Sequence, residues 1–244
     1  MRQTAAELGG RRPERVFLDA NVIRGQLTTD IMMSLAAKEV VVLRWSHKVM
    51  AEARRNRPIG VSQEAIDRRL AKMNRFIPLA MVTGFEDRMP AMRVRDENDR
   101  HVLAAAVHSN CATLVTQNDR DFDPPESGRN HISVERLSVF LTRKLDEEPR
   151  RTLAGLRSMV ERNTRSPRTM PELIDTMARQ EALHAFAREL NHRVPPDQRG
   201  TVFSKAMAVA LDALNPVRRK SNARGHDRPR QLLSSRDSSR DIER

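Results

Sequence analysis

The sequence predicts an α/β fold: a three-layer α/β/α domain with a central parallel sheet, followed by an all-helical C-terminal extension. Two observations favour this class. From Arg15 to about Leu145, short apolar runs alternate with amphipathic stretches, as strands alternate with helices in an α/β domain. After Pro149 the apolar spacing is helical throughout, and no further strand pattern follows. The change in character at this proline predicts two structural parts.

The strands are predicted from buried apolar runs that end in turn signals. Three apolar runs predict strands and their boundaries, namely 16–18, 40–45 and 112–116. HISV at 131–134 predicts a short final strand, and the stretch 81–93, which has no clean period, predicts a loop or a weak strand. The sheet is therefore expected to have at least three strands.

Helices are predicted between these strands from apolar spacing and from capping residues. Ser46 is the expected N-cap of a helix that carries Val49 and Glu52, and Ser62 that of the helix ending at Phe76. A further helix starts at Asp96 or Asn98 and buries an alanine-rich face. The remaining predicted helices are 29–37, 135–145, 150–162, 171–191 and 201–214.

The predicted domain organisation follows from these elements and from composition. We expect a flexible N-terminus at 1–14, an α/β domain at 15–146, a helical domain at 150–215 and a basic, disordered tail at 216–244. No stretch approaches the length of apolar sequence that a membrane span needs, and no secretory signal opens the chain. We therefore expect a cytoplasmic protein without membrane contact.

Composition narrows the chemistry. A single cysteine, Cys111, excludes an internal disulfide framework and a cysteine-rich zinc site, so a metal would be held by oxygen or histidine ligands. The net charge is +12, and residues 141–244 hold 22 Lys and Arg against 14 Asp and Glu. Arginine pairs with phosphate, which favours polyanionic partners, although a codon bias towards arginine would give the same excess.

Acidic residues recur where predicted strands end or helices begin. Asp19 ends the first strand, Glu52 lies on the helix after the second, and Asp99 opens the alanine-rich helix. Asp119 and Asp121 follow the third confident strand. Because the carboxyl ends of parallel strands open on one edge of a sheet, these side chains are expected to converge there.

Converging carboxylates repel one another and are stable together when a cation lies among them. Oxygen-only ligation suits Mg²⁺ or Mn²⁺, and either ion supports phosphodiester hydrolysis without a nucleophilic side chain. Each acid also has a structural explanation when taken alone. Asp19 would serve as a helix cap, Glu52 as a solvated helix residue, and Asp96 as a first-turn acid that complements the helix dipole.

Four segments, taken in order, resemble a known signature. VFLDANVI, EARRN, DENDRHVLAAAV and LVTQNDRDF are similar to the motifs of PIN-domain proteins, in particular the VapC-type toxin ribonucleases of bacterial toxin–antitoxin pairs. The resemblance covers about residues 15–145, and the helical part beyond it resembles the C-terminal extension of longer VapC-like proteins. It implies a PIN-like fold for the first domain.

The resemblance also implies roles for individual residues. Asp19, Glu52 and Asp99 match the first three metal-binding, catalytic acids of the family. The fourth acid is Asp121, or in members with a shorter turn the position of Asn118, while Asp119 is an additional and weaker candidate.

Asn21, Thr116 and Asn118 match supporting polar positions of the family. Asp96 either serves a second metal or caps its helix, and we favour the cap. His101 is expected to be packed or exposed rather than to bind metal. The arginines nearest the motifs either bind the substrate backbone or are solvated surface residues, and for each one we favour the surface: Arg24, Arg54, Arg55, Arg95 and Arg120.

The function implied by the resemblance is a Mg²⁺- or Mn²⁺-dependent endoribonuclease, the toxin of a toxin–antitoxin pair that blocks translation. Such a protein would leave a 5′-phosphate and a 3′-hydroxyl, bind a small antitoxin and often form a homodimer. Two alternatives stay open: a non-catalytic nucleic-acid-binding protein with a PIN fold, and a structure-specific DNA nuclease. For the extension we favour a helical bundle packed on the first domain over an RNA-positioning or antitoxin-docking module.

Overall fold

The computed structural model describes residues 12–122 and 131–204. Its centre is a parallel sheet with strand order β3-β2-β1-β4-β5. In the central strand β1, Val16, Phe17 and Leu18 are completely buried, as expected for a strand covered on both faces. The strands are β1 Glu14–Leu18, β2 Val41–Ser46, β3 Met81–Val82, β4 Thr113–Thr116 and β5 Ser133–Arg136.

Helices connect the strands and cover the sheet, with α2, α5 and α6 in contact with it. The helices are α1 Ala20–Ile23, α2 Gln26–Ala37, α3 His47–Arg55, α4 Gln63–Phe76, α5 Arg100–His108, α6 Leu137–Glu147, α7 Pro149–Arg162, α8 Met170–Ala178 and α9 Glu181–Arg193. The predicted α/β class with a parallel sheet and a helical C-terminal region is confirmed. None of the described helices is long and apolar enough to cross a membrane.

Both predicted serine caps are confirmed. Ser46 Oγ accepts a hydrogen bond from the Val49 amide at 3.3 Å, and Ser62 Oγ accepts one from the Ala65 amide at 3.2 Å. Each bond satisfies an amide that has no partner inside its helix. The cap of α3 matters for the site, because it fixes the start of the helix that carries Glu52.

The prediction of one helix over 171–191 was wrong. The chain breaks after α8, and Gln180 takes an extended conformation with φ −107° and ψ 120° before α9 begins. The break lets the apolar faces of α8 and α9, which contact each other closely, bury one another. The His184 ring lies 2.7 Å from the Ala178 carbonyl oxygen at the end of α8. Apolar spacing alone does not reveal such a reversal, because both helices keep the same period.

The extension packs directly on the first domain through α7 and α2. Gly155 lies so close to α2 that an added Cβ would be 3.0 Å from the Ser34 carbonyl oxygen. Arg162 donates a hydrogen bond to Ser34 Oγ at 3.2 Å, and Leu156 and Met159 are buried nearby on α7. A small residue is needed at position 155 because the two helix backbones approach closely there.

A network of charged side chains ties α6 to the amino-terminal edge of the sheet. Arg143 contacts Glu14 at 3.0 Å and Glu135 at 2.9 Å, while the buried Lys144 contacts Glu14 and, at 2.7 Å, Glu147. Burial alone would raise the pKa of Glu14, but hydrogen bonds from Arg143 and Lys144 outweigh it and lower that pKa to about 2. Glu14 belongs to β1, so the prediction of a flexible N-terminus over 1–14 was wrong at this residue.

Several predictions lie wholly or partly outside the described residues. The basic tail at 216–244 does so completely, and the flexible N-terminus at 1–14 does so up to residue 11. The predicted helix 201–214, and with it the helical domain 150–215, is described only as far as Ser204. The predicted strand 131–134 and helix 135–145 each lie two residues further along the chain in the structure, as β5 and α6. Boundaries of short elements are the least constrained part of a sequence prediction, because fraying and turn geometry decide them.

Candidate active site

Asp19 occupies the carboxyl end of β1 and is the N-cap of α1. Its Oδ1 accepts a hydrogen bond from the Ala20 amide at 2.5 Å, and its backbone amide donates to the Val115 carbonyl at 3.1 Å. Only 5% of the residue is exposed. Asp19 both ends the strand and caps the first helix. Its position between the edge of the sheet and α1 buries the carboxylate.

A closed set of hydrogen bonds holds the Asp19 carboxylate between β1 and β4. Thr116 Oγ1 and Asn21 Nδ2 both donate to Asp19 Oδ2 at 2.7 Å. Asn21 also donates to Thr116 Oγ1 at 2.9 Å, and its Oδ1 accepts from the Gln117 amide at 3.0 Å. The amide of Asn118 completes the set by donating to Thr116 Oγ1 at 3.0 Å. The orientation of Asp19 is therefore determined by groups on α1 and β4.

The electrostatics at Asp19 oppose its ionisation. Burial raises the pKa of Asp19 to about 6, although hydrogen bonds from Thr116 and Ala20 pull it back. The charge of Glu52 raises this pKa further and that of His101 lowers it. A carboxylate that is kept in place by donors and yet is costly to ionise requires additional positive charge to be stable as an anion.

Asp99 lies across the same edge of the sheet, at the start of α5. Burial raises its pKa to about 6, and the next largest contributions, which all raise it, come from the charges of Asp19, Asp96, Glu52 and Asp121. No group in residues 12–122 or 131–204 donates a hydrogen bond to its carboxylate. The structure therefore brings Asp99 within electrostatic reach of every other acid predicted for the site except Asp119.

Glu52 and His101 face each other beside these acids. His101 Nε2 is 3.7 Å from Glu52 Oε2, and 14% and 27% of the two side chains are exposed. His101 Nδ1 is buried and has no hydrogen-bond partner within the described part of the chain. Sequence reasoning did not assign His101 to the site. Its position two residues after Asp99 on the same helix was the available signal, but spacing does not tell which way a ring points.

The turn after β4 separates its two acids. Asp119 Oδ1 accepts a hydrogen bond from Arg136 Nε at 2.6 Å, so its charge is already compensated. Asp121 accepts from the Asn118 amide group, and its backbone carbonyl accepts from the Arg95 amide at 2.9 Å. Of the two, Asp121 is the one whose charge acts on Asp99. Asp121 rather than Asp119 is therefore placed with the other acids.

Asp96 caps the helical turn that precedes α5. Its Oδ1 accepts from the Asn98 amide at 2.9 Å and from the Asn98 side chain at 3.0 Å. This is the capping arrangement favoured from the sequence. Gln117 was not predicted for the site, and its backbone and side chain both bond to Asn21.

Two family models match the chain. A model of the PIN domain matches residues 15–120, and a model of the VapC50 C-terminal domain matches residues 139–192. The chain belongs to the PIN-domain family. It is of the VapC type with a C-terminal extension, and the fold and the order of its motifs agree. Neither a curated protein nor a solved structure matches it at a significant level.

PIN domains generally depend on a divalent metal ion. Such an ion requires suitable donor atoms at a suitable spacing. Asp19, Glu52, Asp99 and Asp121 offer only carboxylate oxygens, the ligands that Mg²⁺ and Mn²⁺ prefer. The raised pKa of Asp99 shows that their charges are mutually unfavourable without a cation. In residues 12–122 and 131–204, however, no three acidic, histidine or cysteine side chains stand close enough to enclose a metal ion. The donor chemistry fits, while the side chains are further apart than bound ligands are.

Proposed function

We propose that this PIN-domain protein is a Mg²⁺- or Mn²⁺-dependent endoribonuclease and the toxin of a toxin–antitoxin pair. One observation supports the proposal most: at the carboxyl edge of the sheet, the pKa of Asp19 and the pKa of Asp99 are each raised to about 6. Strongly perturbed acids that cluster in one place, without cations to balance them, are typical of catalytic and metal-binding sites.

The residues that would hold the ion are Asp19, Glu52, Asp99 and Asp121. When bound there, a divalent cation lowers the pKa of a coordinated water and neutralises charge on the phosphate. Glu52 and Asp121 are only partly buried, so their side chains have room to turn towards the two better fixed acids. Four like charges repel one another, which favours the wider spacing of the acids when no cation lies between them.

The neighbouring polar groups position these acids. Thr116 and Asn21 keep Asp19 Oδ2 in one orientation by donating to it, which favours the ionised form that a metal needs. His101 lies against Glu52 and limits its range. Arg136 neutralises Asp119 and thereby keeps that acid away from the others. Asn118 holds Asp121 within the turn.

RNA as the substrate, a small antitoxin protein as a partner and a homodimer as the assembled form belong to the same proposal. The VapC-type extension supports the antitoxin partner and the RNA substrate. The mass of the purified protein in solution tests the dimer. A cognate antitoxin should co-purify with the chain and suppress its activity.

The test is cleavage of an end-labelled single-stranded RNA, with DNA of the same sequence in parallel. In Mn²⁺ the wild-type protein should cut the RNA and leave a 5′-phosphate and a 3′-hydroxyl, and EDTA should stop the reaction. Asp19→Asn should abolish cutting, whereas Glu97→Gln, which changes an exposed acid paired with Arg100, should not. RNA binding without cutting in any metal would support the non-catalytic alternative, and cutting of DNA alone would support the DNA nuclease.

A further inference from the structure

A cleft of about 470 Å³ lies beside the acids, and the extension forms part of it. Four segments build its walls: residues 21–28 from α1 into α2, the loop after α3, Gln117 after β4, and Gln180 with the start of α9. The residues of the extension in this wall are Gln180, Glu181 and Ala182. The extension is therefore packed on the first domain and also borders a space next to the candidate active site.

The cleft is joined to the acids by hydrogen bonds. Asn21, which lines it, donates to Asp19 Oδ2 at 2.7 Å, and Gln117, also in its wall, bonds to Asn21. On the other wall the Asn56 amide donates to the Glu52 carbonyl at 2.9 Å, because Asn56 ends the helix that carries Glu52. The cleft therefore adjoins the elements that carry Asp19 and Glu52.

The charged groups of the cleft favour an anion. Arg24 and Arg57 are exposed side chains on its two sides, and neither has a carboxylate within ion-pair distance in the part of the chain that the structure describes. Arg57 Nε donates only to the Val61 carbonyl, at 3.0 Å. Nearby Arg54, in contrast, is held by Asp67 at 2.7 Å and 3.0 Å. The one acid of the lining is Glu181, which leaves the cleft with a net positive charge.

The polar groups that line the cleft suit a sugar–phosphate backbone better than bases. Amide side chains of Asn56, Gln117 and Gln180 accompany the two arginines, and no aromatic residue that would stack on a base is among the lining residues. Contacts of this kind position a nucleic acid strand without selecting its sequence. Pro58 and the fully exposed Ile59 also line the cleft, so the argument for a nucleic acid rests on the two arginines and the amide groups and not on a lack of apolar surface.

We propose that this cleft binds the backbone of the RNA strand as it enters the active site, with Arg24 and Arg57 on phosphates and residues 180–182, at the start of α9, as the third contact. The inference rests on the proposed ribonuclease function and assigns the extension a part in substrate binding. Cutting at the acids then depends on a wall that the first domain does not supply by itself.

Substitutions at Ala182 test the proposal, because they change the charge of the part of the cleft that the extension supplies. Glutamate, glutamine and lysine are all tolerated early in a helix, so Ala182→Glu, Ala182→Gln and Ala182→Lys should fold alike, which the melting temperature verifies. Binding of a fluorescent single-stranded RNA is measured in EDTA over a series of salt concentrations. Ala182→Glu should weaken binding about fivefold or more relative to Ala182→Gln, and Ala182→Lys should strengthen it.

The two arginines provide an independent series. Arg24→Ala and Arg57→Ala should each weaken RNA binding and lower the slope of log affinity against log salt by about 0.7. Arg75→Ala is the matched control, since Arg75 is an exposed arginine at the end of α4 outside the lining. Its affinity and its slope should equal those of the wild type.

Equal RNA affinity in the three Ala182 variants and in the two arginine variants would overturn the proposal. Loss of antitoxin binding in Ala182→Glu with unchanged RNA binding would also overturn it, and would identify the cleft as a protein-docking site. Failure of the proposed function looks different. In that case the wild-type protein cuts no RNA in Mn²⁺, while the binding series still reports on the cleft.

Discussion

At the two edges of the same sheet, one half-buried and one buried acid have pKa values shifted in opposite directions. At the amino-terminal edge, Glu14 begins β1 and is surrounded by Arg143 and Lys144, and its pKa falls to about 2. At the carboxyl-terminal edge, Asp19 follows β1, and burial, with a further contribution from the charge of Glu52, raises its pKa to about 6. The two residues are five positions apart, one beginning β1 and the other following it. They differ in depth of burial and in the neighbouring charges, which are cationic at Glu14.

Glu14 is thus a structural acid, whereas we propose that Asp19 and Asp99 are functional ones. Burial by itself opposes ionisation of both Glu14 and Asp19. At Glu14 the chain supplies the cations itself, so the acid stabilises the fold and fastens α6 to the sheet. At Asp19 and Asp99 it supplies other carboxylates instead, so the balancing charge has to come from outside the chain.

The largest expected effect comes from removing an acid at the carboxyl-terminal edge. Asp99→Asn should lower the rate of RNA cleavage in Mn²⁺ by about 1000-fold or more, since metal catalysis contributes several kcal/mol. The melting temperature of the metal-free variant should be equal to or above that of the wild type, because a charge held among like charges is removed. A large fall in melting temperature would mean that Asp99 is a structural acid like Glu14.

Removing the acid at the amino-terminal edge should have the opposite pattern. Glu14→Gln leaves the buried Lys144 without one of its partners, so unfolding should become easier by about 3 kcal/mol, with cleavage per folded molecule unchanged. Denaturant unfolding and a cleavage assay measure the two quantities. Glu97→Gln, which breaks an exposed ion pair with Arg100, is the control and should change the stability little. A loss of cleavage in Glu14→Gln without unfolding would contradict the division between the edges.

The pH dependence of stability should differ between the edges as well. The pKa of Glu14 is lowered from 4.5 to about 2, so its stabilising effect is complete above pH 4.5 and is lost as the pH falls towards 2. The pKa of Asp19 is raised from 3.8 to about 6, so its protonated form favours the fold and stability is lost as the pH rises from 3.8 to 6.

Thermal unfolding in EDTA across this range measures both effects. The gap between wild type and Glu14→Gln should close between pH 4.5 and 2. Asp19→Asn should gain on the wild type between pH 3.8 and 6. Parallel curves for all three proteins would show that these acids titrate alike when folded and unfolded.

The smallest expected effect belongs to Asp119. Since Arg136 already neutralises it at 2.6 Å, Asp119→Asn should change the cleavage rate less than about threefold. Asp121→Asn should lower the rate much more, although less than Asp99→Asn does. The same cleavage assay compares the three variants. A larger loss in Asp119→Asn than in Asp121→Asn would make Asp119 the fourth acid of the site.

Most of the fold was predictable because it depends on local patterns. The apolar runs of β1, β2 and β4 and the caps at Ser46 and Ser62 are written in a few adjacent residues. The reversal between α8 and α9 was not predictable, since two helices that face each other keep the period of one long helix. β3, a strand of only two residues, has too few positions to show any period.

The site was predictable to the extent that parallel topology brings strand ends together. That rule, with the resemblance to PIN domains, placed Asp19, Glu52 and Asp99 at one edge. The resemblance favoured Asp121 over Asp119, but the ion pair that holds Asp119 was not predictable, because it depends on Arg136, which lies on the next strand. The contacts of His101 and Gln117 likewise arise from packing between distant segments. The cleft, which residues 180–182 border, arises in the same way.

The most direct test of the division between the two edges is a crystal structure of the wild-type protein with Mn²⁺ and its anomalous signal. We expect an anomalous Mn²⁺ peak at the carboxyl-terminal edge, within about 2.5 Å of carboxylate oxygens of Asp19 and Asp99. No peak is expected at Glu14, where Arg143 and Lys144 already balance the charge. A peak at the amino-terminal edge, or none at Asp19 and Asp99 at saturating Mn²⁺, would contradict it.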